Sequence, residues 1–115
     1  MLVLSDAQWQ TLQQGEARQF VSMVCDEFLA NRPEMLAQPG REAVLARMRD
    51  AHDYAVRVGF TSTPHIVRLL YLCADVARIH DDPLVNGYLR KPGATPEQRL
   101  DDLDAIMRNK LKGNN

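Results

Sequence analysis

The apolar run between positions 66 and 79 constrains the fold of this chain more than any other feature. It follows Thr61-Ser62-Thr63-Pro64, where an N-cap hydroxyl and an early proline are typical of a helix start. Apolar residues cover most of the circumference of the helix that this run predicts: Ile66, Val67, Leu69, Leu70, Leu72, Cys73, Val76, Ala77 and Ile79. Such a helix must be covered by other elements. We therefore predict a central, buried helix that ends near Ile79.

Two amphipathic segments precede the central helix and predict its first neighbours. A capping-box pattern at Ser5 and Gln8 opens the first segment, whose apolar residues recur at helical spacing up to Asn31. The second runs from Arg41 to Val58, and Gly59 follows where a left-handed C-cap belongs. Both segments should present an apolar stripe to the central helix.

The remainder of the chain adds a short helix and one long helix. His80-Asp81-Asp82-Pro83 interrupts the apolar pattern, and a short helix should follow up to Leu89. A second capping box, Thr95 with Gln98, opens the last helix, which continues to Leu111. We therefore predict an all-α fold, a small bundle of four main helices plus a short helix after the central one. Residues 1–115 should form a single domain, with residues 1–4 and 112–115 frayed.

Charge and cysteine usage limit the environments and partners that the chain can have. The formal net charge is −1, so no general electrostatic attraction to nucleic acid or to an anionic membrane is expected. The N-terminal segment resembles no signal peptide, and no apolar run is long enough to cross a bilayer. Cys25 and Cys73 each stand alone in an apolar helical segment, which favours buried thiols in a reducing cytoplasm over a disulfide.

The chemistry-bearing residues predict neither a catalytic site nor a metal site. No two of the three histidines have the four-residue spacing that places ligands on one helix face. His80 beside Asp81 and Asp82 has ligand chemistry, but a histidine that complements a helix C-terminus, followed by a turn, explains it better. Ser62 is interpreted as a helix cap, and no glycine-rich phosphate loop is present. We expect a non-enzyme without a cofactor.

The turn at Gly59-Phe60-Thr61-Ser62 between two helices superficially imitates a helix-turn-helix. A recognition helix must present polar side chains to base edges, whereas the helix after this turn offers only His65 and Arg68 before its apolar run. Ordinary bundle geometry is the preferred interpretation, and a DNA-binding regulator is the weakest alternative.

Large apolar side chains are more abundant than a small helical domain needs, and two interpretations remain open. All of them fill one core, or some form a patch for a protein partner or for a second copy of the chain. On the second interpretation the candidate partner-binding residues are Trp9, Phe60, Tyr71, Asp81, Asp82 and Tyr88.

Three segments resemble a known group of proteins: Arg57-Val58-Gly59-Phe60-Thr61-Ser62, then Asp81-Asp82-Pro83, and finally Arg99-Leu100-Asp101-Asp102-Leu103. The resemblance is to small helical proteins encoded in type VI secretion gene clusters beside spike proteins, effectors and adaptor chaperones. It covers roughly residues 41 to 107. It implies a cytoplasmic accessory protein or co-chaperone that helps to load an effector, with a secretion effector, adaptor chaperone or spike protein as its partner.

An immunity protein or antitoxin that masks a toxin is the main alternative. An acidic groove formed by Asp81, Asp82, Asp101 and Asp102 would favour an inhibitor of a basic, nucleic-acid-cleaving toxin. A contiguous apolar patch would favour the accessory role, and a helix face lined by arginines would favour DNA.

Overall fold

The chain is all-α over the part that the computed structural model describes, which comprises the backbone of residues 6–113 and the side chains of residues 16–108. Its elements in chain order are α1 (Asp6–Asn31), α2 (Glu34–Ala37), α3 (Arg41–Val58), α4 (Thr63–Asp75), a 3₁₀ turn (Ile79–Asp81), α5 (Pro83–Leu89) and α6 (Pro96–Gly113). No strand occurs between residues 6 and 113, which confirms that the fold is all-α over these residues. None of the helices in these residues is long and apolar enough to cross a membrane.

The core lies where α3 and α4 pack against each other, with α1 covering one side. Met48 of α3 and Leu69 and Leu70 of α4 are completely buried there. Further core residues come from α1: Val21, Val24, Cys25, Phe28 and Leu29. Burying one such aliphatic side chain contributes about 1.5–3 kcal/mol, so these contacts hold the three helices together. The prediction that the helix after Pro64 is the central one agrees with this burial.

α4 ends at Asp75, four residues before the predicted end at Ile79. Val76 is extended, Arg78 adopts a left-handed conformation with φ of 62°, and the chain then turns back toward α3. The Arg47 side chain donates a 2.8 Å hydrogen bond to the carbonyl oxygen of Ala74, which satisfies an acceptor that the ended helix leaves open. The apolar run misled the prediction because Val76 is half exposed and does not belong to the core.

The predicted helix boundaries elsewhere are partly confirmed. Gly59 has φ of 105° and forms the left-handed C-cap of α3. Thr95 and Gln98 exchange the two hydrogen bonds of a capping box before α6. α6 continues to Gly113 and so includes two residues of the predicted frayed tail. The Ser5–Gln8 capping box and the frayed residues 1–4 lie outside the described residues.

α6 meets the rest of the fold through a small apolar contact and many polar ones. Leu100 is fully buried, whereas Ile106, two turns further along the predicted apolar stripe, is 48% exposed. Hydrogen bonds to the side chains of Glu97, Asp101 and Asp104 connect α6 to α4 and to the turn before it, and Tyr88 of α5 donates to Asp102.

Candidate functional site

The contact between α4 and α6 contains a serine, a histidine and an aspartate in one hydrogen-bonded chain. Ser62 Oγ lies 2.7 Å from His65 Nδ1, and Asp101 Oδ1 lies 3.0 Å from His65 Nε2. Ser62 occupies the N-cap position but makes no side-chain cap to the backbone, so its interpretation as a cap is wrong in that respect. The sequence did not reveal this series of hydrogen-bonded side chains, because Asp101 is 36 positions from His65.

The groups around Ser62 favour a structural role for the hydrogen-bonded Ser62, His65 and Asp101 side chains. Glu97 Oε2 accepts hydrogen bonds from the backbone amides of Thr61 at 2.7 Å and Ser62 at 2.8 Å. Those amides are therefore not available to stabilise an oxyanion beside Ser62 Oγ. Asp101 also accepts a hydrogen bond from Arg68. We call the contact formed by Ser62, His65, Arg68, Glu97, Asp101 and Asp104 the polar joint.

Both key carboxylates of the polar joint have pKa values below their usual range. Hydrogen bonds from His65 and then from Arg68 lower the pKa of the Asp101 carboxyl. Partial burial raises the pKa of Glu97, but the amides of Thr61 and Ser62 outweigh it and the net pKa is lowered. The joint is therefore arranged to hold ionised carboxylates, which suits interhelical attachment.

A polar cleft of about 300 Å³ opens between the end of α3, the 3₁₀ turn and α5. Its lining combines buried and exposed side chains: Tyr54, Arg57, Val58, His80, Asp81, Asn86 and Arg90. We call this space the Tyr54 cleft. Three short stretches of chain create it, because α4 ends early and the chain turns back to place His80 against α3.

The floor of the Tyr54 cleft is formed by two buried aromatic rings. Tyr54 and His80 are 4% and 5% exposed, and their ring centroids are 5.0 Å apart. The Tyr54 hydroxyl donates a 2.7 Å hydrogen bond to Asn86 Oδ1. His80 Nδ1 lies 3.5 Å from Cys73 Sγ, and burial raises the pKa of that thiol to about 11. The Cys73 thiol is therefore protonated at neutral pH, and the floor is a fixed, packed surface.

His80 was expected to complement the C-terminal end of the central helix, and the structure corrects this placement. The ring is enclosed between Tyr54 and Cys73, in a 3₁₀ turn that begins four residues after α4 ends. Asp81 Oδ1 is 3.7 Å from His80 Nε2, but the Asp81 carboxylate is held by Arg78 at 2.7 Å. Hydrogen bonding from Arg78 lowers the Asp81 pKa. The described residues contain no group of three metal-type ligands.

The rim of the Tyr54 cleft carries two arginines that form no ion pair with the described side chains. Arg57 lies in the last turn of α3 and Arg90 at the C-cap of α5. Neither guanidinium forms an ion pair or a hydrogen bond with any side chain from residues 16–108. Burial raises the Tyr54 pKa, while the positive charges of Arg90 and Arg57, which line the same cleft, act to lower it.

Two further depressions border α3. A shallow one of about 280 Å³ adjoins the Tyr54 cleft and shares Arg57, His80 and Asp81 with it, adding Asp50 and Asp53. A groove of about 590 Å³ between α1 and α3 is larger. None of its described polar lining side chains is buried, and these are Arg18, Arg49, His52 and Asp53. No buried polar side chain among them is therefore held in a fixed orientation for binding a ligand. The Tyr54 cleft is therefore the better candidate site.

The predicted partner-binding aromatic residues are dispersed in the structure. Phe60 is buried in the core at 5% exposure, which is the opposite of what a partner-contacting residue needs. Tyr71 is partly buried and packs edge-on against Phe28, with ring centroids 5.1 Å apart. The Tyr88 hydroxyl donates to Asp102, while Arg99 lies over its ring.

The predicted acidic groove is divided among separate contacts within the chain. Asp82 Oδ1 accepts from the amides of Leu84 and Val85 and so caps α5. Asp81 pairs with Arg78, and only Asp81 lines the Tyr54 cleft. Asp101 belongs to the polar joint and Asp102 accepts from Tyr88. The side chain of Trp9 lies outside the described residues.

The chain matches no protein-family model, no characterised protein and no solved structure.

Proposed function

We propose that this chain is a non-catalytic protein-interaction module that receives a group from its partner in the Tyr54 cleft. The observation that carries the proposal is the contrast between that cleft and the other polar clusters. Arg57 and Arg90 have no partner among the described side chains, whereas the arginines of the polar joint and of the 3₁₀ turn are paired with carboxylates. Unpaired cations above a rigid floor are available for recognition.

The biological setting that we propose is bacterial type VI secretion. The resemblance of residues 41 to 107 to small helical proteins of those gene clusters supports it, and the Tyr54 cleft lies inside that span. In this proposal four main helices form a small cytoplasmic bundle that acts as an accessory or co-chaperone. The partner is a secretion effector, an adaptor chaperone or a spike protein.

The contacts of the described residues support this function over the alternatives. His65 and Arg68, the polar groups that a DNA-reading α4 would present, are both bonded to Asp101 of α6. The aspartates of the inhibitor hypothesis are engaged in caps and ion pairs within the chain, which reduces the negative field that a basic toxin would meet.

A tagged capture from the native cell tests the proposal directly. The tagged chain is purified with bound proteins, which mass spectrometry identifies, and light scattering of the protein alone gives its oligomeric state. The Arg57→Gln/Arg90→Gln double variant is run in parallel, with Arg108→Gln as the control that removes an exposed arginine of α6.

We expect the wild type and the Arg108→Gln control to recover the same secretion adaptor, effector or spike protein, and the double variant to lose it. Recovery of a toxin would replace the accessory role by the immunity role. A monomer that recovers no protein from the native cell would overturn the proposal.

A further inference from the structure

We propose that the Tyr54 cleft is a carboxylate-binding site in which Arg57 and Arg90 hold one carboxylate between them and Asn86 donates a third hydrogen bond. The inference rests on the proposed function only for the source of the carboxylate, which is an acidic side chain or chain terminus of the partner. A free small carboxylic acid is the other source of the same chemistry.

The charge of the cleft selects an anion. Its lining contains the two cations Arg57 and Arg90 and a single carboxylate, Asp81. Arg78 neutralises that carboxylate at 2.7 Å from outside the lining. Neither Arg57 nor Arg90 forms an ion pair or a hydrogen bond with a described side chain, so both guanidiniums have donors available in the cleft, and guanidinium groups match the planar, two-oxygen geometry of a carboxylate.

The hydrogen-bonding state of Asn86 adds a neutral donor to the two guanidiniums. Its Oδ1 accepts from the buried Tyr54 hydroxyl at 2.7 Å, which fixes the amide and leaves Nδ2 without an acceptor among the described residues. The amide is partly buried in the cleft lining, so it is held in place and still reachable. A ligand carboxylate meets a donor whose orientation is set before binding, which lowers the entropic cost of recognition.

The surroundings favour a monoanion over a dianion such as phosphate. Arg57 and Arg90 lie at helix C-terminal ends, where unsatisfied carbonyl groups carry partial negative charge. Asp50, Asp53 and Asp81 line the adjoining depression. A second negative charge on the ligand would meet these groups, whereas one carboxylate charge is matched by the two guanidiniums.

Helix dipoles alone offer a competing explanation of both arginines. A cation at a helix C-terminus is stabilising by roughly 0.3–1 kcal/mol without any ligand. That explanation accounts for each arginine separately, but it gives no reason for Arg57 and Arg90 to line the same cleft from two different helices. The two explanations make different predictions for NMR: a carboxylate site predicts that added carboxylates shift the side-chain signals of both arginines, and the helix-dipole explanation predicts no such shift.

The experiment is an NMR titration of the full chain, isotope-labelled so that arginine Nε–Hε and asparagine Nδ2 signals are observed. The probes are acetate, succinate and an acetylated hexapeptide of glutamate, each at constant ionic strength set with chloride. Variants are Arg57→Gln, Arg90→Gln and the exposed control Arg108→Gln.

We expect saturable shifts of the Arg57, Arg90 and Asn86 signals with carboxylates and none with chloride. Each cleft variant should weaken binding by about tenfold, the loss typical of one charge-assisted hydrogen-bonding partner. Arg108→Gln should bind as the wild type does. Linear shifts spread over all arginines, or affinities that the cleft variants leave unchanged, would overturn the site.

The probes also separate the two sources and keep this proposal distinct from the proposed function. Tighter binding of the peptide than of succinate assigns the site to an acidic protein segment, and the reverse assigns it to a small acid. Carboxylate binding without a captured protein would overturn the interaction module and keep the site. A captured protein that the Arg57→Gln/Arg90→Gln variant still binds, together with no saturable carboxylate shifts, would overturn the site and keep the module.

Discussion

The polar joint and the Tyr54 cleft both contain arginine side chains, but these form ion pairs in the joint and none with the described side chains in the cleft. In the joint, Arg68 donates to Asp101 and Asp104 of α6, so its charge is used to attach one helix to another. In the cleft, Arg57 and Arg90 form no ion pair with a described carboxylate, although Asp81 lines the same space. The floor beneath them is closed by Tyr54 and His80.

This difference shows how charged groups that stabilise the fold can be separated from charged groups that are available for binding. A cluster whose donors and acceptors satisfy one another, as around Asp101, contributes to folding whether or not a ligand is present. A cluster with unused hydrogen-bond donors above a rigid floor is able to bind a group from outside the chain. The comparison therefore makes opposite predictions for stability and for binding.

Substitution of Tyr54 in the floor of the cleft should have the largest effect on the free energy of unfolding. Tyr54→Ala removes a buried aromatic ring together with its contact to His80, and should lower the free energy of unfolding by about 3–5 kcal/mol. Tyr54→Phe keeps the ring and loses only the hydrogen bond to Asn86, at a cost of about 1 kcal/mol. Urea unfolding followed by circular dichroism measures both. A Tyr54→Ala protein as stable as Tyr54→Phe would show that the floor is not packed.

Substitution of Glu97 in the polar joint should have the next largest effect on stability. Glu97→Ala leaves the amides of Thr61 and Ser62 without their acceptor at the start of α4, and should destabilise the protein by about 1–2 kcal/mol, the range for a lost helix cap. Glu27→Ala removes an exposed carboxylate of α1 and should change stability by less than about 0.5 kcal/mol. Equal effects of the two substitutions would contradict the role of Glu97.

The joint should also weaken in acid. The folded pKa values of Asp101 and Glu97 are lowered, so their contribution to stability is complete above the unfolded carboxyl pKa of about 4. It is lost as the pH falls through the lower folded pKa values. The stability difference between wild type and Asp101→Asn, measured by urea unfolding, should therefore be largest near pH 6 and shrink toward pH 3. A difference that stays constant over this range would exclude a contribution from ionised Asp101.

The smallest expected effect distinguishes the two arginine clusters most cleanly. Arg57→Gln removes an exposed cation from the last turn of α3 and should lower the free energy of unfolding by about 0.3–1 kcal/mol, the helix-dipole contribution of such a cation. Arg68→Gln breaks the contacts to Asp101 and Asp104 and should destabilise the protein more. If Arg57→Gln were the more destabilising change, the cleft arginine would have a structural role.

Local signals in the sequence were sufficient to predict much of the fold. The C-cap at Gly59 and the capping box of Thr95 and Gln98 depend on residues close together in the chain, and the structure has both. The end of α4 was predicted wrongly, because the helical pattern continues to Ile79 while Arg47, from another helix, satisfies the carbonyl of Ala74 in the last turn.

Most of the candidate site could not be predicted for the same physical reason. Tyr54 and Asn86 are 32 positions apart, and their hydrogen bond depends on the left-handed turn at Arg78. Periodicity identifies which face of a helix is apolar but not which polar side chains of different helices meet. The large aromatic Phe60 was taken as a candidate partner contact, and its depth in the core follows from packing that no local pattern encodes.

The most direct test of the account is photo-crosslinking in the native cell from one position beside each region. A photoreactive phenylalanine analogue replaces Lys91, an exposed residue next to Arg90, or Arg108, an exposed residue of α6 beyond the polar joint. The account predicts a covalent adduct with a single protein from position 91, abolished by Arg57→Gln/Arg90→Gln, and none from position 108. An adduct from position 108 alone, or one from position 91 that survives loss of both arginines, would contradict it.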